Sequence, residues 1–378
     1  MAKQVVSRFE RLAPIANSAE HVVGRRELRV LDELLADLRT QHAHPNRTLF
    51  YDDVVVAHLL AFFNPALRGL RSIQDLFDDT KVRKAFRAPR VPKSTLSDAQ
   101  RVFNPQLLTP LITALQQRLG NLPKTPALDH LTRRLIAVDG SFFAVAPRIT
   151  WALYNQNGGN IRKGQVRLHT QFDLHCGLPT QVGLTDGQAG ESQHLRQHLA
   201  AGCFYVMDRG FQSYQLLADI LAVKSDFLVR LRKSAAARVI EPRPLAAADQ
   251  ALGIVADETV ALGWRDDRTA ELPPLRRVIV RAADRTGVDR DVILLTNRLD
   301  LPACDVALLY RHRWQVELFF RWLKCMAHFE HFFSESPDGM TLQVYVTIIG
   351  TLLIALQVGA RPTKYDFAMM SCALAGLT

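Results

Sequence analysis

Residues 135–145 read LIAVDGSFFAV, a run of apolar, β-branched and aromatic side chains that is typical of a buried strand. One acidic residue, Asp139, stands in its middle and is followed by Gly140. A carboxylate in an apolar strand is costly unless a partner offsets its charge. A glycine within a strand lets another group come close to the backbone. This stretch therefore predicts a sheet with a charged site on this strand.

The segments that follow alternate between strand and helix patterns. Residues 166–187 predict a hairpin, and 203–211 (CFYVMDRGF) predict a strand that ends at Asp208. A helix over 214–223 and a strand over 226–232 come next. This alternation predicts an α/β fold, and Asp208 lies where open α/β sheets bind ligands. An aspartate at a strand end is also a common turn former or helix cap, so Asp208 alone does not decide between the two roles.

The rest of the chain divides by its pattern into further regions. Residues 1–125 show helical periodicity and are predicted to form a basic, DNA-binding domain. Residues 130–232 and 304–360 are predicted to form one catalytic domain. Between them, 233–303 carries strand-like runs separated by Pro-, Gly- and Asp-rich segments, which indicates a β-rich insertion. The chain then returns to a helix predicted over residues 305–328.

The composition favours a polyanionic partner. The 378 residues include 47 Lys and Arg against 37 Asp and Glu, a net charge of +10. Such an excess binds phosphates by releasing their condensed counterions. Five scattered cysteines and an N-terminus without an apolar core lead us to expect a cytoplasmic protein. Residues 342–360 are nearly long enough to span a bilayer, but their polar residues favour a buried helix and no membrane contact.

A basic segment lies within the helical N-terminal region, at residues 81–101. It leads into a short helix predicted over 96–103, an arrangement typical of helices that approach DNA. An ordinary solvated charged face is the alternative. The residues that we expect to contact DNA here are Lys81, Arg83, Lys84, Arg87, Arg90 and Lys93.

The segment 310–324, YRHRWQVELFFRWLK, places four polar groups on one face of a helix. At 100° per residue they fall within an arc of roughly 60°, and they are Tyr310, Arg313, Glu317 and Lys324. A neighbouring apolar stripe that can pack on a sheet is formed by Val316, Phe319 and Leu323. A carboxylate beside fixed cations suits phosphoryl transfer, since it can hold a divalent cation while the cations orient phosphate oxygens. The alternative is a surface ladder with an ordinary Arg–Glu pair.

The spacing Tyr-x2-Arg-x3-Glu-x6-Lys resembles the YREK signature of DDE transposases of bacterial insertion sequences, in the "insertion sequence four"-like group. The order of the acids is also similar: an Asp on a first strand, an Asp after a later strand, and a Glu on a helix beyond a β-rich insertion. The resemblance covers roughly residues 130–355. It implies a ribonuclease H-like fold, a mixed five-stranded sheet with helices on both faces. It also implies that Asp139, Asp208 and Glu317 are catalytic.

The chemistry implied is cleavage of transposon ends and their joining to target DNA by two-metal phosphoryl transfer. We expect Asp139 to bridge two Mg²⁺ ions, for which Mn²⁺ can substitute, with Asp208 and Glu317 each completing one site. Tyr310, Arg313 and Lys324 would hold phosphates. Trp314 would stack on an unpaired base, or else be a core tryptophan. The partners implied are double-stranded DNA, namely terminal inverted repeats and target, and a second copy of the chain in a homodimer on paired ends.

Two other functions stay open from the residues. The chain could be a catalytically inactive DNA-binding relic, or a stand-alone metal-dependent nuclease on the same fold. Three further carboxylates of this region are expected to serve as turn, cap or supporting groups: Asp173, Asp186 and Glu191.

Overall fold

The computed structural model describes residues 35–40, 49–64, 66–80, 83, 89–120, 125–155, 162–233, 235, 237–262, 272–283, 287–325 and 331–374. The strands are β1 (Arg134–Val145), β2 (Leu153–Asn155), β3 (Arg162–Asp173), β4 (Leu178–Asp186), β5 (Cys203–Met207), β6 (Asp226–Arg230), β7 (Ala237–Pro242), β8 (Ile254–Leu262), β9 (Leu275–Ala283) and β10 (Asp289–Thr296). The helices are α1 (Tyr51–Phe63), α2 (Leu70–Asp78), α3 (Lys93–Val102), α4 (Thr109–Leu119), α5 (Glu191–Arg196), α6 (Tyr214–Ala222), α7 (Ala247–Ala251), α8 (Ala303–His312), α9 (Trp314–Cys325), α10 (Pro337–Val358) and α11 (Lys364–Leu374).

The described strands form one mixed sheet in the order β2-β3-β1-β5-β6-β10-β9-β8-β7, with β4 paired to β3. Strands β1, β5 and β6 are parallel, whereas β10, β9, β8 and β7 are antiparallel to their neighbours. All five residues of β5 are buried, so both faces of the sheet are covered. The α/β class with a mixed sheet is thus confirmed.

The sheet is wider than the five strands expected. Strands β4, β3, β1, β5 and β6 make up that number, but β10 of the insertion pairs antiparallel with β6 and carries β9, β8 and β7 beyond it. The insertion is β-rich, as predicted, and it continues the central sheet. Strand periodicity identifies such strands but does not say which neighbour they pair with.

The chain has two compact units. The first comprises Met1–Pro123, Phe143–Val166 and Arg321–Thr378, and the second Lys124–Phe142 and Arg167–Phe320. This division differs from the predicted domains, because residues 321–360 belong with the N-terminal helices. The physical reason is that α10 packs against α1 and α4 in the first unit.

Helix α10 is the core of the first unit. It begins after Ser336, whose hydroxyl accepts from the Gly339 N–H, and it ends at Gly359, which has a φ of +67°. By length and composition it could cross a membrane, but 89% of its most apolar window is buried in the protein, as the sequence predicted. The buried hydroxyls of Thr347 and Thr351 donate to backbone carbonyls one turn earlier, at 2.8 Å each, so they bring no unsatisfied group into the core.

The second unit is built around the parallel strands. One face of β1, β5 and β6 shares a core with α6, through Tyr205, Phe227, Leu216 and Ile220, all of which are buried. Helix α6 begins after Ser213, whose hydroxyl accepts from the Leu216 N–H. Because the core fixes these strands, it also fixes the loops at their carboxyl ends.

The helix predicted over 305–328 is two helices in the structure. Helix α8 ends at His312 and α9 begins at Trp314, with Arg313 between them. The Arg313 N–H donates to the Tyr310 carbonyl, and the Val316 N–H donates to the Arg313 carbonyl. Both hydrogen bonds join residues three apart, as in a 3₁₀-helix, and they tighten the turn. The spacing of apolar residues in the sequence cannot reveal such a local change.

Candidate active site

The register of two parallel strands brings two acidic residues together. Val138 of β1 is aligned with Met207 of β5. Asp139 directly follows Val138, and Asp208 directly follows Met207. Parallel neighbours lie about 4.8 Å apart, so the two carboxylates leave adjacent strands side by side. Each is anchored locally: Asp139 Oδ1 accepts from the Gly140 N–H at 2.8 Å, and Asp208 Oδ1 from the Gly210 N–H at 2.6 Å.

The turn between α8 and α9 brings a third carboxylate to this place. Arg313 donates from Nη2 to Glu317 Oε1 at 2.6 Å, and from Nη1 to Asp139 Oδ2 at 3.4 Å. Its guanidinium carbon also lies 5.8 Å from the centre of the Tyr310 ring. One guanidinium therefore links the first strand of the sheet to α9. The apolar stripe predicted beside Glu317 packs on the sheet, with Phe319 against Phe172 at 5.5 Å between ring centres.

The charges at this place are not balanced. Burial raises the pKa of Asp139 to about 7; Arg313 and the Gly140 N–H oppose this effect, while Asp208 and Glu191 add to it. Burial likewise raises the pKa of Tyr310, against the influence of Arg313. Neighbouring carboxylates in a partly desolvated site disfavour ionisation of one another. A bound cation would relieve that repulsion.

Carboxylate oxygens are the ligands that Mg²⁺ and Mn²⁺ prefer, so the donor chemistry fits a divalent cation. Among the described residues, no three acidic, His or Cys side chains are grouped closely enough to hold a metal as they stand. Arg313 pairs with both Asp139 and Glu317. Its Nε is buried without a hydrogen-bond partner. The residues present suit a cation once Arg313 has turned away.

Sequence reasoning assigned Glu191 only a supporting role, and the structure places it at this site. It is the first residue of α5. A cavity with space for about one water molecule is lined by both Asp139 and Glu191, together with Val138, His169, His194 and Phe211. Burial raises the pKa of Glu191, Arg167 lowers it, and Asp208 raises it. The sequence feature that could have indicated a further group at this site is the pair of glycines that follow the two aspartates, Gly140 and Gly210.

Asp173 and Asp186, in contrast, take the turn roles that were expected. Asp173 Oδ1 accepts from the backbone N–H groups of His175 and Cys176. Asp186 Oδ1 accepts in the same way at the next turn, from Gln188 and Ala189.

The remaining predicted residues of α9 lie elsewhere on the helix. Lys324 is in the first compact unit, with Nζ 5.0 Å from the centre of the Phe143 ring. Trp314 exposes 44% of its surface, so the alternative of a core tryptophan is wrong.

Three of the six expected DNA contacts in the basic N-terminal segment can be described. Arg90 pairs with Asp78 at 2.7 Å, Arg83 donates to a threonine hydroxyl, and Lys93 is exposed. Lys93 is also the first residue of α3, which therefore begins three residues before the predicted start. The expected contacts Lys81, Lys84 and Arg87 fall outside the described residues.

Two relatives of this chain are both named as transposases. A protein of Sinorhizobium fredii (strain NBRC 101917 / NGR234) named as a transposase, y4zB, is 29% identical over 76% of this chain and 79% of its own length. A protein of Geobacillus stearothermophilus, named as a transposase for insertion sequence element IS5377, is 22% identical over 90% of this chain and 84% of its own. A solved structure of piggyBac transposase, a synaptic complex with hairpin DNA, aligns with 94% of this chain and 78% of that one at 9% identity and a TM-score of 0.41.

The family model described as "Transposase DDE domain" matches residues 130–353. The matched segment contains β1, β5 and α9, with the three acids, and it spans more than half of the 378 residues. The chain therefore belongs to the transposase DDE domain family.

Proposed function

We propose that Asp139, Asp208 and Glu317 are the catalytic residues of this DNA transposase and hold Mg²⁺. Family membership makes the chain an enzyme of DNA cleavage and strand transfer that uses divalent metal ions. The observation that carries the residue assignment is the strand register that sets Asp139 beside Asp208, with Glu317 joined to Asp139 through Arg313.

The proposed chemistry is in-line displacement at phosphorus, first by water at the transposon end and then by the freed 3′-OH at target DNA. When bound, a pair of Mg²⁺ ions supplies an acidified water and offsets charge on the departing 3′ oxygen. Asp139, Asp208 and Glu317 would hold these ions, and Asp139 would be the acid common to both, because it lies beside Asp208 and is joined to Glu317 through Arg313.

Arg313 and Tyr310 are proposed to act on the DNA backbone. Arg313 neutralises the acids before substrate arrives and transfers its hydrogen bonds to phosphate oxygens once cations replace it, since a guanidinium binds both groups in the same planar geometry. Tyr310, which lies against Arg313, donates its hydroxyl proton in a hydrogen bond to a nearby phosphate. Both roles position the scissile bond.

Further DNA contacts are proposed on the exposed surface. Trp314 is exposed directly after Arg313, where an unpaired base can stack on it. Lys324 and the basic N-terminal segment would bind phosphates along the terminal inverted repeat. A homodimer on paired ends, acting in the cytoplasm at the nucleoid, completes the proposal.

The test is cleavage of a labelled duplex that carries the element's own end, with Mg²⁺. We expect Asp208→Asn and Glu317→Gln to bind this duplex as wild type does, yet to cut it at least about a thousandfold more slowly. Glu241→Gln is a matched control, because Glu241 is an exposed residue of β7, at the far edge of the sheet. Wild type that binds but never cuts, with Mg²⁺ or Mn²⁺, would be an inactive relic. Wild type that cuts without joining ends to target would be a stand-alone nuclease.

A further inference from the structure

Glu191 lies against the backbone next to both candidate aspartates, within β1 at Asp139 and just after β5 at Asp208. A side-chain carbon added at Gly140, the residue after Asp139, would overlap Oε1 of Glu191 and lie 3.2 Å from its Cδ. The same atom added at Gly210 would lie 3.6 Å from Oε2 of Glu191 and 2.9 Å from Oδ1 of Asp208. The two oxygens of one carboxylate therefore face the backbone of β1 at Gly140 and the backbone just after β5 at Gly210.

The two glycines are needed for space. Neither has a positive φ, so neither backbone conformation by itself demands glycine. What both positions share is the carboxylate of Glu191, which occupies the room that a side chain would take at Gly140. The absence of a side chain thus allows Glu191 to approach the site closely.

Glu191 is in the first turn of α5, where an acidic side chain is favoured, but that position alone does not require its carboxylate to lie against Gly140. Its carboxylate makes no hydrogen bond or ion pair within the described part of the chain, whereas Asp173 and Asp186 are each held by two backbone N–H groups. Arg167 is the nearby cation, but it donates to the Ala189 carbonyl at 2.8 Å and lies over the Phe142 ring. A partly buried carboxylate without a partner is costly.

We propose that Glu191 is a fourth carboxylate of the catalytic site, supplying an oxygen ligand, directly or through a water, to the divalent cation held by Asp139 and Asp208. The inference rests on the proposed function of those two aspartates. It assigns the Glu191 side chain to the active site, and it explains why glycine follows Asp139.

Metal binding tests this without relying on catalysis. Mn²⁺ is titrated into the full chain bound to a duplex with the element's end, and free Mn²⁺ is followed by electron paramagnetic resonance. We expect Glu191→Gln to raise the Kd for Mn²⁺ about tenfold or more, as is usual when a group at a metal site is lost, and Glu241→Gln to leave it unchanged. Glu191→Asp keeps the charge but shortens the reach, and it should still weaken binding several-fold. Circular dichroism and melting in EDTA verify that each variant folds.

A second variant changes the position of Glu191 without changing any charge. In Gly140→Ala the new methyl displaces the end of a flexible side chain, so the protein should fold and bind Mn²⁺ as weakly as Glu191→Gln does. Combining the two substitutions should add little, because both remove the same ligand. Additive effects on the Kd would contradict the proposal.

The outcomes separate this inference from the proposed function. If Glu191→Gln and Glu191→Asp bind Mn²⁺ as wild type does, while Asp208→Asn does not, Glu191 is not a ligand and the three-acid assignment stands. If Glu191→Asp matches wild type and only Glu191→Gln is weak, Glu191 acts through charge alone and the ligand role is wrong. If wild type itself neither binds Mn²⁺ nor cuts DNA, both proposals fall.

Discussion

Arg313 acts as an internal counter-ion, and exchanging it for glutamine tests that idea. It pairs with Glu317 at 2.6 Å and with Asp139 at 3.4 Å, and the three side chains expose 11%, 33% and 18% of their surface. Removing one partner of a buried pair costs about 3–5 kcal/mol, because it leaves the other charge unpaired. Asp139 and Glu317 remain partly exposed to solvent, so the cost should be smaller than for a fully buried pair. We expect Arg313→Gln to lower the free energy of unfolding by about 2–3 kcal/mol at pH 8 in EDTA.

The same substitution should strengthen metal binding while it weakens catalysis. In wild type a cation must displace Arg313 from two carboxylates, and in the variant it need not. A tenfold tighter Kd adds about 1.4 kcal/mol of stabilisation when Mg²⁺ is well above both Kd values. Urea unfolding with and without Mg²⁺ measures both effects, and cleavage of the end duplex measures the loss of phosphate positioning.

The refuting result is a stabilisation by Mg²⁺ that is equal in wild type and Arg313→Gln. It would mean that cations bind without displacing the guanidinium. Arg281→Gln serves as the matched control, because Arg281 pairs with Asp291 in the open, at 52% and 39% exposure. That variant should be close to neutral in both conditions.

Three further predictions concern stability. Asp139 should contribute stability to the metal-free protein that is lost as the pH rises from about 4 to about 7, because folded Asp139 retains a proton that the unfolded chain releases; in urea unfolding in EDTA, the free energy of unfolding of wild type relative to Asp139→Asn should fall over that range. Arg276→Met should destabilise the second unit by about 3 kcal/mol in the same assay, since Arg276 holds the buried Asp257 through two bonds of 2.8 and 2.7 Å; a cost below that of a surface pair would contradict this. Gly350→Ala should lower the melting temperature, because its methyl would overlap the Phe62 ring in the α1–α10 contact, and overpacking costs about 1–3 kcal/mol.

The helices and strands of this fold could be predicted because their apolar residues recur at regular spacing and turn-forming residues mark their ends. The strand around Asp139, the strand that ends before Asp208 and the strands over residues 276–283 and 291–298 all lie within a few residues of their predicted bounds. The polar row from Tyr310 to Glu317 identified the family, which the family match confirms. These features are local, so the sequence displays them directly.

Three features of the structure could not be predicted from the sequence: the helix break, the place of Glu191 and the width of the sheet. The break at Arg313 consists of two backbone bonds, and no residue in 310–316 breaks helices by its own propensity. The role offered here for Glu191 depends on how closely α5 approaches β1, and the width of the sheet depends on the pairing of β10 with β6. The break at Arg313 is local but leaves no mark in the sequence, whereas the other two features required two segments distant in sequence to be placed first.

The pairing of β10 with β6 has a consequence for the path of the chain towards Glu317. The insertion leaves the sheet at the end of β6 and returns on the adjacent strand, where Leu294 is aligned with Arg230. Asn297 then ties the returning chain to β6, accepting from the Phe227 N–H at 2.8 Å and donating to Asp226 at 2.7 Å. The strand after which the insertion begins, β6, and the strand on which it ends, β10, are thus adjacent in the sheet. The pairing of β10 with β6 and the bonds of Asn297 therefore set where the chain leaves the sheet for the helix that leads to Glu317.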